Sequence, residues 1–125
     1  MTAHSLPKSE RLRSLGAVRR LFSDGRSGFV YPFRYMIFTE ESASPSVEVL
    51  FSVPKRYHKR ANKRNLLRRR TKEAYRLNKE AVTAVATERG KALDMALVYS
   101  VKECVPYKTI ENAVRKILQE VGATL

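Results

Sequence analysis

The sequence predicts an α+β fold: one domain spanning 1–125, an α-β sandwich in the order αβββαβα, with a central basic helix packed on a small mixed sheet. Three observations predict it. Residues 62–89 carry a helical period that gathers cations on one side and Leu and Ala on the other. Residues 46–53 alternate, with Val47, Val49, Phe51 and Val53 on one face of a strand and Leu50 as the exception. Residues 93–101 are apolar nearly throughout, as in a strand covered on both faces.

The other elements follow from local chemistry. Residues 1–9, with Ser5, Pro7 and Ser9, read as a loose lead-in. Ser9-Glu10 opens a helix that runs to about residue 23 and closes at Asp24-Gly25. Leu15, Val18, Leu21 and Phe22 form its apolar face, and Arg11, Arg13, Arg19 and Arg20 stay outward. On the residues alone, Phe22 belongs in the core. Arg26 to Val30 form a short strand, and residues 33–39, with Phe33, Tyr35 and Phe38, a longer one. A polar turn at 40–45 leads to the alternating strand, which Pro54 ends. Residues 55–60 are a cationic loop into the central helix, with Asn62 as its cap and Gly90 as its stop. After Pro106, the residues Ile110, Ala113, Val114, Ile117, Leu118 and Val121 mark a last helix, with Gly122 following. The helices are expected mainly on one side of the sheet.

Twenty-five basic residues against 12 acidic ones give a net charge of +13, which points to a polyanionic partner, while 43% hydrophobic residues supply a core. Cys104 is the single cysteine, so neither an internal disulfide nor a cysteine-built zinc site is possible within this sequence. His4 and His58 lack metal-ligand spacing. No apolar run approaches a membrane span and the N-terminus lacks a signal-peptide core, so a cytoplasmic protein is expected.

The charge is concentrated between Lys55 and Lys79, where twelve cations stand with one acid, Glu73. On a helical projection Arg64, Arg68, Lys72, Asn65, Arg76 and Arg69 fall within an arc of roughly 140°. Leu66, Leu77, Ala81, Ala74, Leu67 and Val85 collect opposite them, and a disordered basic tail would have no reason to segregate in this way. Such a stripe suits phosphates spaced along a nucleic-acid backbone: Arg offers a planar fork, and Asn65 both donates and accepts. Lys55, Arg56, Lys59 and Arg60 extend the basic surface into the preceding loop. Tyr57 and His58 in that loop are candidates for stacking or phosphate contact, or simply for solvent exposure. An acidic membrane surface fits less well, because the helix lacks an aromatic-rich apolar face.

The run Arg64-Asn65-x-x-Arg68-Arg69-x-x-Lys72 resembles the R-N-x-x-K-R-x-x-R signature of the protein subunit of bacterial ribonuclease P. The flanks Phe51-Ser52-Val53-Pro54-Lys55-Arg56 and Glu73-Ala74-Tyr75-Arg76-Leu77-Asn78-Lys79 are similar to the same family. Two positions depart from it. Lys72 stands where the pattern has Arg, and Arg70 occupies a place usually apolar, where it should snorkel at the edge of the core stripe. The resemblance implies the same fold, including a left-handed β-α-β crossover.

It also implies an accessory subunit of a ribonucleoprotein endoribonuclease that removes the 5′ leader of precursor tRNA. The RNA subunit would be the catalyst and Mg²⁺, bound mainly by that RNA, the cofactor. Arg64, Asn65, Arg68, Arg69 and Lys72 would lie against the catalytic RNA. A cleft between the first helix and the sheet, lined by Val18, Phe22, Arg34, Met36 and Arg56, would take the single-stranded leader. Val18 and Met36 stand where relatives often carry aromatic side chains, leaving Phe22 as the π face.

The residues independently disfavour chemistry by the protein itself. Glu40 and Glu41 share a turn, Glu48 alternates outward from a strand, and the remaining acids are scattered, unlike a two-metal nuclease. A histidine-based ribonuclease would need two cooperating imidazoles. The other reading of the same surface is a structural, ribosomal-type RNA-binding protein with no part in cleavage. A DNA-binding helix-turn-helix fits poorly, since the basic helix follows a strand.

Overall fold

The structure, a computed structural model, describes residues 15–125. Its elements are α1 (Leu15–Asp24), β1 (Arg26–Val30), β2 (Phe33–Glu41), β3 (Ser46–Ser52), α2 (Ala61–Asn78), α3 (Glu80–Arg89), β4 (Lys91–Tyr99) and α4 (Tyr107–Thr124). The four strands lie in the order β1-β2-β4-β3. β1 and β4 run antiparallel to β2, whereas β3 runs parallel to β4. A parallel pair needs a crossover, and α2 with α3 provides it.

The alternation in β3 buries Val47, Val49 and Phe51 on one face, where they join Phe33, Ile37, Leu93, Met95, Leu97 and Tyr99. α2, α3 and α4 cover this face with Leu67, Ala74, Tyr75, Val82, Ala86, Ile110, Val114, Ile117, Leu118 and Val121. A smaller cluster occupies the reverse face, where Leu21 of α1 packs on Ala96 with Ala17, Val18, Met36, Phe38, Leu50 and Val98 around it. Three helices therefore lie on one side and α1 on the other. β4 is buried from Leu93 to Leu97 because it is an interior strand covered from both sides.

The order αβββαβα holds, with refinements. The central helix is divided at Lys79, which keeps right-handed helical backbone angles (φ −65°, ψ −21°) between α2 and α3. Arg60, not Asn62, is the N-cap residue of α2 and makes no side-chain cap bond; Asn62 Oδ1 instead accepts the Lys63 N–H at 2.9 Å. Gly90 ends α3 as expected, in the left-handed region at φ 64°, with its N–H on the Ala86 and Thr87 carbonyls. Gly122 does not stop α4 but lies inside it. A side chain there would run into the Ala81 carbonyl oxygen, so glycine lets α3 and α4 approach closely. Leu15 and Phe22 are not on the buried face of α1: they are 63% and 48% exposed. The lead-in at 1–9, the opening of α1 at Ser9-Glu10, His4, Arg11 and Arg13 lie outside the described residues.

Candidate nucleic-acid interface

The buried side of α2 is rotated from the sequence expectation. Leu67, Thr71, Ala74 and Tyr75 are buried, whereas Leu66 is half-buried and Leu77 is 41% exposed. Thr71 can enter the core because its hydroxyl donates to the Leu67 carbonyl at 2.7 Å, and Tyr75 packs edge-on against Phe51. The core seam therefore runs beside Arg64 and Arg68, and the cationic row occupies the outer flank from Arg68 through Lys72 to Asn65 and Arg69.

These cations have different surroundings. Arg64 Nη1 donates to the carbonyls of His58 (3.1 Å) and Lys59 (2.6 Å), closing the preceding loop onto the helix. Arg68 Nη1 donates to Asn65 Oδ1 at 3.2 Å. Arg76 forms a two-point pair with Glu73 (Nε–Oε2 3.0 Å, Nη2–Oε1 2.6 Å), which holds the Glu73 carboxyl below the usual carboxylate range. A phosphate at Arg76 must compete with that carboxylate. Arg70 is half-buried and donates to the Val105 carbonyl at 3.4 Å, at the stripe's edge as anticipated. Among the described residues no carboxylate lies within ion-pair distance of Arg64, Arg68 or Arg69.

Lys55, Arg56, Lys59 and Arg60 are exposed in the loop, with the Arg56 guanidinium 5.0 Å from the Tyr57 ring centre. His58 is neither solvent-exposed nor an outward donor. It is 7% exposed, its Nε2 lies 2.9 Å from the Val101 carbonyl oxygen, and its ring meets Tyr99 edge-on at 5.3 Å. The imidazole anchors the loop. Tyr57, His58, Lys59, Arg60 and Lys63 line a pocket of about 310 Å³.

The cleft residues occupy the reverse face of the sheet. Strand register puts Phe29, Arg34, Val98 and Ser52 in one row across it, and Ser27, Met36, Ala96 and Leu50 in the next. A third row holds Phe38, Asp94 and Glu48. Arg20 reaches this third row from α1: its Nη2 lies 3.3 Å from Asp94 and 3.6 Å from Glu40, and its guanidinium sits 4.5 Å from the Phe38 ring centre. Phe22 is on the opposite flank of the helix from Arg20, at roughly 200° around the axis. Val18 and Met36 are half-buried and Arg34 is exposed. The exposure of Phe22 corrects its assignment to the core. Burial pushes the Asp94 carboxyl up despite Arg20, and burial together with Asp94 pushes up Glu48.

Two exposed aromatics have no place in the sequence expectation: Tyr31, 47% exposed in the turn between β1 and β2, and Phe29. Phe29, 58% exposed, shares the row of Arg34. The available signal was its place beside Gly28, whose missing side chain makes room for the Tyr35 ring on the core face and so turns Phe29 to the other.

Among the described residues no group of three or more His, Cys, Asp or Glu could hold a metal ion, and no helix is long and apolar enough to cross a membrane. Fold and surface together define a small basic α+β domain of the kind that meets a polyanion, with a guanidinium row on one helix and, on the reverse face of the sheet, half-buried Val18 and Met36 near exposed Phe22 and Arg34. The family model described as Ribonuclease P matches residues 6–122, and the chain belongs to the ribonuclease P protein family. It is 35% identical over 122 residues to the ribonuclease P protein component of Porphyromonas gingivalis, covering 96% of this chain and 88% of that protein. Two solved ribonuclease P proteins share the fold. That of Staphylococcus aureus has a TM-score of 0.68 at 17% identity, over 91% of this chain and 96% of the other. That of Thermotoga maritima has 0.69 at 21%, over 89% and 96%.

Proposed function

We propose that this chain binds the catalytic RNA of ribonuclease P through the outer flank of α2 and the single-stranded 5′ leader of precursor tRNA through the cleft between α1 and the sheet. Family membership makes it a component of an endoribonuclease ribonucleoprotein that acts in tRNA 5′ processing. The observation that carries the finer reading is the state of Arg64, Arg68 and Arg69. These guanidinium groups are held by backbone or amide oxygens or stand exposed, and no carboxylate of the described chain neutralises them. That arrangement costs self-repulsion in the free protein, which a phosphate backbone offsets.

In this reading Arg64, Asn65, Arg68, Arg69 and Lys72 meet the RNA subunit, with Arg76 and the Lys55, Arg56, Lys59 and Arg60 loop at its margin. Phe22 offers a base a flat face, Val18 and Met36 form the cleft floor, and Arg34 and Arg56 receive leader phosphates. Bond cleavage belongs to the RNA subunit and its Mg²⁺ ions; the protein neutralises charge between RNA and substrate and so favours filling of the Mg²⁺ sites.

The test is reconstitution with a bacterial ribonuclease P RNA at low Mg²⁺, following cleavage of precursor tRNA. The chain should raise the rate and lower the Mg²⁺ requirement. The Phe22→Ala variant should lose more affinity for precursor tRNA than for leaderless tRNA. RNA binding without stimulation would instead favour a structural RNA-binding role.

A further inference from the structure

We propose that strand β1 carries a second nucleobase-stacking subsite, Phe29 beside Arg34, which takes the part of the leader farthest from the cleavage point. This rests on the reading of the cleft as the leader site and extends it beyond α1 to the sheet edge.

Three observations carry it. First, Phe29 is a large apolar side chain, 58% exposed, on an edge strand. A lone exposed apolar residue needs no explanation, but an aromatic on an open strand edge is a liability that proteins commonly blunt with charge. Secondly, its position is fixed rather than incidental. The Tyr35 ring occupies the core side of Gly28, so β1 cannot turn over without a clash, and Phe29 is held in register with the exposed Arg34.

Thirdly, the face is electrically divided. The rows containing Phe29, Arg34, Val98 and Ser52, and Ser27, Met36, Ala96 and Leu50, hold no acid. Asp94 and Glu48 lie in the third row and Glu40 beyond it, where Arg20 ties α1 down. A polyanion on this face is repelled from the α1-clamped end and drawn to the row of Arg34.

Direction follows from topology. The row begins at Ser52, the last residue of β3, which leads through the 54–60 loop into the signature helix. It ends three strand spacings away, about 14 Å, at Phe29 on the opposite edge. In the proposed function α2 lies against the catalytic RNA, so a leader that leaves that RNA from its cleavage point enters the row at Ser52 and crosses Val98 and Arg34 before it reaches Phe29. Arg34 holds a phosphate, and the next base toward the 5′ end lies on the Phe29 ring.

The experiment uses the reconstituted holoenzyme and precursor tRNAs whose leaders are lengthened one nucleotide at a time. Wild type should gain affinity with length until both platforms are filled. Phe29→Ala should show a deficit that grows with leader length, reaching roughly five- to tenfold at full length, the low end of the range for stacking one base. Phe29→Trp should restore the gain. A Phe29→Ala curve that overlies wild type at every length, while Phe22→Ala still shows a leader-dependent loss, overturns the subsite and leaves the cleft reading standing. A constant deficit that includes leaderless tRNA makes Phe29 structural and also overturns it. Leader-independent curves for both variants overturn the cleft reading itself.

Discussion

Replacing Arg68 or Arg69 with Ala should change how binding to the RNA subunit responds to salt, more characteristically than it changes binding at any one salt concentration. Each phosphate contact contributes about 0.7 to 0.9 to the slope of log K against log salt. Both side chains lie on the outer flank of α2, Arg69 exposed and Arg68 half-buried, and neither is held by a carboxylate of the described residues, so their removal should leave the fold intact. Between roughly 50 and 200 mM salt, one contact worth about 0.9 shrinks the penalty of the variant about 3.5-fold, because wild type weakens faster than the variant. The double variant should lose about twice the slope of either single one. The assay is equilibrium binding of the RNA subunit at four or more salt concentrations, with unfolding curves as the control. Log–log lines parallel to wild type for both single variants and the double one would refute the assignment of this flank to phosphates.

Other expectations concern the surrounding structure. Glu73→Gln releases Arg76 from its two-point pair, so the same titration should show tighter binding at low salt and a slope steeper by up to about 0.9. Gly122→Ala forces a methyl group against the Ala81 carbonyl and should lower stability by about 1–3 kcal/mol in urea unfolding. The folded-state pKa values of Asp94 and Glu48 are raised, so between the ordinary carboxylate value and those raised values the folded chain holds protons that the unfolded chain has released. Stability should therefore fall as pH rises through that window, and Asp94→Asn should flatten the fall in urea midpoints measured against pH; an equally steep fall in the variant would count against the assignment.

Strand positions were legible because each carries a local signal: alternation in β3, continuous apolarity in β4, and Asp24-Gly25 before β1. The signature face of α2 was legible because like charges cannot be placed in a core. The orientation of its buried side was less so. A count of apolar residues favours Leu66 and Leu77, whereas the core takes Thr71, which satisfies its own hydroxyl, and Tyr75, which is amphipathic. Phe22 and Phe29 were misjudged or missed for the opposite reason. Hydrophobicity says that a phenylalanine prefers burial; apart from the hint that Gly28 gives for Phe29, it is the assembled fold that leaves the surface above these two open. His58 gave no sequence signal, since its partners Val101 and Tyr99 are more than forty residues away.

The guanidinium row and the proposed leader site lie on different sides of the sheet, so something must fix their separation if an RNA subunit held by the first is to meet a leader held by the second. The 54–60 loop joins the end of β3 to the start of α2, and it is pinned twice: His58 to Val101, and Arg64 to the carbonyls of His58 and Lys59. Arg64 is then unlike Arg68 and Arg69, because part of its hydrogen-bonding capacity is spent inside the protein. Hydrogen bonds from a charged donor contribute roughly 1.5–3 kcal/mol when well shielded; for the half-buried Arg64 the low end, about 1.5 kcal/mol, is the expected stability loss in Arg64→Ala. The loop would loosen with it, so this variant should weaken both RNA-subunit binding and leader-dependent substrate affinity, whereas Arg68→Ala should weaken the first alone. Arg64→Lys keeps the charge, but its shorter side chain does not carry a donor to the point where Nη1 meets both carbonyls, so it should recover the salt slope without recovering the leader effect. If Arg64→Ala behaved like Arg68→Ala in both assays, the loop would not be the element that couples the two surfaces.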